Sequence, residues 1–318
     1  MKNSTLNYEN RFYLNNNAIS GILSIQGNYS INYGPINTIG VGYNKQVMAE
    51  VPSASFSINK YLLFNEPFLR FTGERPDKQA QRFAGSIDYF GKSFGFQTGC
   101  VNSISLDCSV GEVPQTSIDI QVFGDIGKTI SASGNIGTPF ISVPQVKDII
   151  LTCNGSSTNR ITQFNYSINC PKKPIYLLQP SGFASTSGPS GPSGPIPNFA
   201  YVPYEILLEL PIEIDASFNL EVDDYEAKKL YDQMTNDVDS SFSISIKGAV
   251  FEDVPLSNNT NTDITVAGGQ SLLTYRKAVG INMFNESFNN VKLVSQEFNS
   301  NADDVLSVKL NYKGYLNN

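Results

Sequence analysis

With 318 residues, 40% of them apolar and 16% charged, the chain has too little charge for a disordered polymer and enough apolar content to bury the core of one large β-domain or two of ordinary size. A net charge of −7 and a pI near 4.8 argue against a surface that binds phosphate by releasing counterions as its main business. The complete lack of histidine removes Ser-His-Asp and Cys-His nucleophile systems, histidine metal sites and histidine acid–base catalysis together.

Met1–Asn10 carries no apolar signal region, and no run of about eighteen apolar residues occurs anywhere, so a soluble protein made in the cytoplasm is expected. Asn, Ser, Tyr, Phe and Gly are abundant while long helix-forming runs are scarce, which favours strands and turns. Gly21–Ile25 reads as a short apolar strand, followed by the pentapeptide Asn28–Asn32 and then Pro35-Ile36. Ala54–Ile58 is a strand, and Asn59–Phe64 after it is read as a short helical stretch. Ser93-Phe94 precedes a pair of strands that closes this half, with Ile118, Ile120 and Val122 alternating in the last of them.

The second half opens on Asp148–Thr152, read as the counterpart of Gly21–Ile25. Asn165–Asn169 then repeats Asn28–Asn32 letter for letter, and Pro174-Ile175 follows. The Ser-Gly-Pro triplets of Ser187–Pro195 are too few for a collagen helix and read as a polyproline-like surface loop. From Glu205 to Val222 every even position is apolar, a strand that at about 3.3 Å per residue reaches roughly 55 Å, with Pro211 marking a bend or an edge. Asp223 and Glu226 offer a capping box for the one convincing helix, which runs on to Met234. Alternation resumes in Phe242, Ile244 and Ile246, and in Leu306, Val308, Leu310 and Tyr312.

These landmarks recur in order: Asn28–Asn32 in Asn165–Asn169, Ala54–Ile58 in Ala216–Leu220, and Ser93-Phe94 in Ser287-Phe288. The offset between copies grows from 137 to 162 to 194, and each growth falls where a loop-like segment has been inserted. A duplicated β-domain is the reading: 1–127 as the first copy with an N-terminal arm, 128–146 as linker, and 147–318 as the second copy, with insertions near 181–200 and 252–272. Each copy is expected to be an antiparallel set of strands with one short helix alongside.

Catalytic motifs are largely missing. Gly91-Lys92-Ser93 and Gly127-Lys128-Thr129 lack the upstream glycine of a phosphate loop, since Ser86 and Val122 stand in its place. The four cysteines, Cys100, Cys108, Cys153 and Cys170, have neither zinc spacing nor disulfide density and read as reduced, mostly buried thiols. No catalytic, cofactor or metal site is assigned. The acids on the odd face of the long strand, Glu205, Glu209, Glu213, Asp215 and Glu221, read as either a channel lining or an outer solvated face.

Phe12–Leu14, Ala18–Gly27, Pro35–Asn37, Pro52–Ile58, Gly91–Phe94 and Ser103–Pro114 together resemble the major tail (tube) proteins of long-tailed bacteriophages, over about residues 8 to 127. The second half joins that resemblance through the repeat. The resemblance implies β-sandwich domains whose sheets join those of neighbours into one closed barrel, in rings that stack into a tube. Two such domains per chain imply a trimeric, pseudo-sixfold ring. The implied partners are further copies of the chain, a tape-measure protein, terminator and baseplate proteins, and double-stranded DNA passing non-specifically. The implied location is the virion tail, assembled in the host cytoplasm. Duplicated tube domains also occur in baseplate hubs, so a hub or distal-tail component is the alternative, followed by a host-binding virion protein and a glycosidase using Glu205, Glu209 and Glu213.

Overall fold

Alternation of β-branched or aromatic residues with Ser, Asn and Asp commits most of this chain to strands with one dry and one wet face. A computed structural model describes residues 11–30, 33–35, 47–49, 53–63, 66–73, 75, 79–89, 92–123, 127, 142–144, 146–153, 155–176, 203–222, 225–234, 240–255, 274–300 and 305–316. The first half runs β1 (Arg11–Leu14), β2 (Asn17–Ile19), β3 (Ile22–Ser30), β4 (Tyr33–Pro35), β5 (Val47–Ala49), β6 (Ser53–Tyr61), a 3-10 turn at Leu69–Phe71, β7 (Phe83–Tyr89), β8 (Lys92–Ser109) and β9 (Gln115–Val122). The second half begins, after a 3-10 turn at Val146–Asp148, with β10 (Ile149–Cys153), β11 (Ser156–Thr158), β12 (Ile161–Asn169), β13 (Lys172–Ile175) and β14 (Glu205–Leu208). It continues through β15 (Ile212–Glu221), α1 (Tyr225–Met234), β16 (Ser240–Pro255), β17 (Thr274–Asn299) and β18 (Ser307–Leu316). The fold is all-β in character and antiparallel throughout, with one α-helix among the described residues.

Both halves use one pairing scheme. In the first, β1 pairs β2 and β7, β7 pairs β8, β8 pairs β9, β9 pairs β6, β6 pairs β3, and β4 pairs β5. In the second, β10, β11, β16, β17, β18, β15, β12, β13 and β14 repeat those pairings. Registers agree with the repeated landmarks: Asn28 stands opposite Ser55 as Asn165 stands opposite Ser217, and Ile87 opposite Phe94 as Phe242 opposite Phe288.

Two layers face each other in each half, because one long strand serves both. The start of β8 pairs β7 and its end pairs β9, so the strand carries the sheet from one layer into the other, and β17 does the same in the second half. Phe56 of one layer meets Phe96 of the other at 5.2 Å between ring centroids, and Phe218 meets Phe242 at 5.1 Å. The Phe96 ring lies flat on the backbone, where a Cβ at Gly85 or Gly99 would stand 2.4 Å from it.

Several expectations need correction. The strand expected from Glu205 to Val222 is two strands in different sheets, because Pro211 has no N–H to donate: β14 pairs β13, while β15 pairs β12 and β18. Asn59–Tyr61 is not helical but the end of β6, held by pairing with β9 as far as Tyr61 opposite Gln115, and the turn at Leu69–Phe71 stands where α1 stands in the second half. Ile149–Thr152 lies in β10, which takes the role of β1, whereas Ile22–Ile25 opens β3, whose counterpart is β12. Residues 252–255, assigned to a loop, belong to β16 and pair with β17. The segments 128–141, 181–200 and 256–272, like Asp223 of the capping box, lie outside the described residues.

A buried ion pair ties β6 to the turn that follows. Lys60 Nζ donates to Glu66 Oε2 at 2.7 Å, and Thr116 Oγ1 of β9 donates to the same oxygen at 3.1 Å. Removing one partner leaves the other charge buried without compensation, so Glu66→Ala should cost about 3–5 kcal/mol in urea unfolding, while the double change Lys60→Met with Glu66→Leu should recover most of that loss.

Candidate functional site

The two halves meet edge to edge. β8 pairs antiparallel with β12 from Ser103 opposite Asn169 to Ser109 opposite Gln163. Backbone bonds extend the joint at both ends, from Cys170 N to Asn102 O at 2.7 Å and from Val110 N to Thr162 O at 2.9 Å. One continuous sheet results, in the order β3-β6-β9-β8-β12-β15-β18-β17. A second contact lies where the β13–β14 hairpin reaches the first half: Ala80 N donates to Ile206 O at 2.8 Å, and Ile206 packs with Ala80, Cys100 and Phe123.

One face of this sheet is the dry core face, with Ile58, Ile118, Ile104, Phe164, Phe218 and Leu310 all buried. The other is mainly polar, with Val294 of β17 exposed on it. One row across it reads Gln26, Ser57, Asp119, Ser103, Asn169, Glu213 and Tyr315, each opposite the next. Cross-strand hydrogen bonds knit the face together: Asn59 to Ser24 at 3.0 Å, Ser103 to Asp119 at 2.8 Å, Asn219 to Gln163 at 2.9 Å and Asn311 to Ser295 at 2.7 Å. An open hollow of about 550 Å³ crosses its centre, lined by Asp107, Ser167, Asp215 and Lys313 and also by Val294 and Tyr312.

Of the five predicted acids, Glu213, Asp215 and Glu221 lie on this polar face, on β15. Glu205 begins β14 in the separate hairpin and Glu209 is exposed in the connection after it, so the five do not form one acidic row. The face is also not purely acidic. β18 brings Lys313 opposite Asp215 and Lys309 opposite Asn219, and Lys313 Nζ lies 3.4 Å from Glu213. That contact raises the Lys313 pKa, chiefly through its hydrogen bond to Glu213. Glu221 pairs more loosely with Arg160, at 3.9 Å. Sequence reading missed the polar residues of β8 and β12, although the alternation Ser103, Ser105, Asp107 against Ile104, Leu106, Cys108 marks them.

Chemically this is a broad, hydrated surface of small hydroxyl and amide groups. Its hollow is open rather than enclosed, unlike a small-molecule site, and it offers no positive field for phosphate. Among the described residues, no three Cys, Asp or Glu side chains gather as metal ligands would, and no helix is long and apolar enough to cross a membrane. No protein-family model matches the chain, and no curated protein does.

The four cysteines are unbonded and buried. Desolvation pushes Cys100 and Cys170 up to about 11 and Cys108 up to about 12, and raises Cys153 in the same direction. Burial raises Tyr166 and Tyr312 as well, while Lys172, buried beside Cys100 and Cys170, is lowered. Above the ordinary thiol value of 9.0 the unfolded chain loses protons that the folded chain keeps, so stability falls as pH rises from about 9 towards 12. Lys172 opposes this up to its ordinary value of 10.5, because there the unfolded chain holds the extra proton. Urea midpoints measured between pH 8 and pH 11 should therefore decline, and changing Cys108→Ala should flatten the decline.

Proposed function

We propose that this chain is a structural tail-tube protein of a long-tailed phage, assembling as trimeric, pseudo-sixfold rings that stack into the channel for DNA delivery. The observation that carries the proposal is the continuous sheet itself: two copies of one pairing scheme, joined edge to edge, with a dry face towards a second layer and a polar face bare of it. A sheet of that kind has two open ends, and closure with neighbours removes them. Three chains supply eight strands each, well beyond the sixteen to eighteen strands at which a closed barrel already leaves an aqueous channel.

The polar face is then the channel wall. Ser, Asn and Gln hydrate it, and Asp107, Asp119, Glu213, Asp215 and Glu221 set against Lys309 and Lys313 leave it without the positive excess that would hold the DNA backbone. Passing DNA meets a wet, weakly repelling surface. The outer layer, with β1, β7, β10, β16 and α1, faces away from the channel in this arrangement and presents the surface for any enclosing structure.

Electron microscopy of the purified chain, with its solution mass followed at rising concentration, is the test. Hollow tubes or stacked rings of three chains are expected. A lone trimer that never stacks points to the baseplate hub, and a monomer at every concentration removes the proposal. Tubes carrying Ser105→Cys decide which face lines the channel: a small maleimide should react along their whole length, whereas a gold-bearing maleimide too large to enter should mark only the ends.

A further inference from the structure

Of the cavities, buried groups and open edges in the molecule, the two edges of the continuous sheet carry an inference furthest, because the chain contains a worked example of how they are covered. β8 in the first half is covered by β12. The counterpart of β8 is β17, and the counterpart of β12 is β3. Among the described residues the last third of β17 pairs only with β18, and β3 pairs only with β6. Each is half of such a joint, with no second strand along it among the described residues.

Burial at the two places differs as this predicts. Tyr166 of β12 is 5% exposed, and its counterpart Tyr29 is 50% exposed; Ile104 of β8 is 1% exposed, and its counterpart Phe298 is 59% exposed. Cys100, covered by the hairpin residue Ile206, is fully buried, and Val294 in the corresponding stretch of β17 is 65% exposed. Tyr29 lies opposite Ala54 and Phe298 opposite Val308, so both apolar side chains are on the core face, where pairing would extend the dry layer. On the opposite face Asn28 and Ser30 of one edge match Glu297 and Asn299 of the other in polarity, as Asn165 and Ser167 match Ser103 and Ser105 in the formed joint.

We infer that β3 of one chain pairs antiparallel with β17 of a second copy, in the register of the internal joint: Ser30 opposite Asn299 and Tyr29 opposite Ser300. The register follows by moving Ser105 opposite Ser167, and its neighbours, through the repeat offsets of 194 and 137. The contact is head-to-tail, so each chain added presents the same open edge again, and growth ends when a ring closes. The inference deepens the tube reading and rests on it for the number of chains, but the register itself rests on the internal joint alone.

Cysteine cross-linking tests it, with little background because the four native thiols are buried. Directly opposed strand positions bring Cβ atoms to about 4.5–5.5 Å, within reach of a disulfide for suitably oriented pairs. Both Ser30→Cys with Asn299→Cys and Tyr29→Cys with Ser300→Cys are made, since neighbouring pairs alternate in geometry. Under mild oxidation at least one is expected to give species of two and three chain masses, with the three-chain species resisting further growth. Asn28→Cys with Asn299→Cys, two residues out of register, should give about tenfold less, as that separation exceeds disulfide reach. Single variants Ser30→Cys and Asn299→Cys should cross-link when mixed and not alone. Tyr29→Asp should abolish the association while leaving the thermal transition of the monomer in place.

Rings or tubes in the microscope with cross-links only at the shifted pair, or at none, overturn the register and leave the tube reading standing. Two-chain and longer cross-linked species at the predicted pair, without rings, uphold the pairing and overturn the tube reading. No association at any concentration overturns both.

Discussion

Everything in this molecule depends on what becomes of the edges of one antiparallel sheet. A strand edge presents a row of backbone N–H and C=O groups that must find partners or water, and here the first such edge is satisfied from within, by β12 lying along β8. That joint fuses two layered units into a single polar wall and aligns Ile104 and Leu106 with Tyr166 and Ile168 in a common core. Without it, each half would retain a dry sheet face, a second layer and two exposed edges, but no continuous wall. The hairpin β13–β14 braces the joint from above, where Ile206 closes over Cys100 and Phe123.

The long strands β8 and β17 are the second requirement. A strand shared by two layers makes them one hydrogen-bonded body, so the wall and its backing do not slide independently. Irregularities in register, between Val101 and Ser103 in one and between Leu293 and Ser295 in the other, fall where the strand enters the wall and adjust which side chains face the core. The aromatic contacts then cross between layers, Phe56 to Phe96 and Phe164 to Phe284, so side-chain packing as well as backbone bonding couples them.

Much of this was legible in the sequence where the information is local. Alternation over Glu205–Val222 and in Ile118, Ile120 and Val122 falls on β15 and β9, Tyr225–Met234 is helical as its capping signal implies, and the repeated landmarks occupy matching places in the two pairing schemes. Where the answer depends on distant partners the reading failed. Asn59–Tyr61 looks no more like strand than helix until β9 pairs with it and Glu66 receives Lys60. The acids of β15 looked like an unbroken negative row because Lys309 and Lys313, which stand among them, arrive from a strand almost a hundred residues later. Even positions stay apolar straight through the break at Glu209–Pro211, since both strands happen to bury the same parity, and periodicity alone cannot see a change of sheet.

Fusing two units into one chain has a consequence for how an assembly of them would form. In any ring built from this chain every second joint is intramolecular, closed when the chain folds and independent of protein concentration, so only the remaining joints bear the loss of translational and rotational freedom on association. The two kinds of joint are also separate stretches of sequence, free to drift apart in strength. Ile104 inside the internal joint and its counterpart Phe298 at the open edge already differ in bulk. A homohexamer has one interface and must set folding and assembly with it together; a chain of two such units can hold one joint firm and tune the other to the concentration at which an assembly would begin to grow.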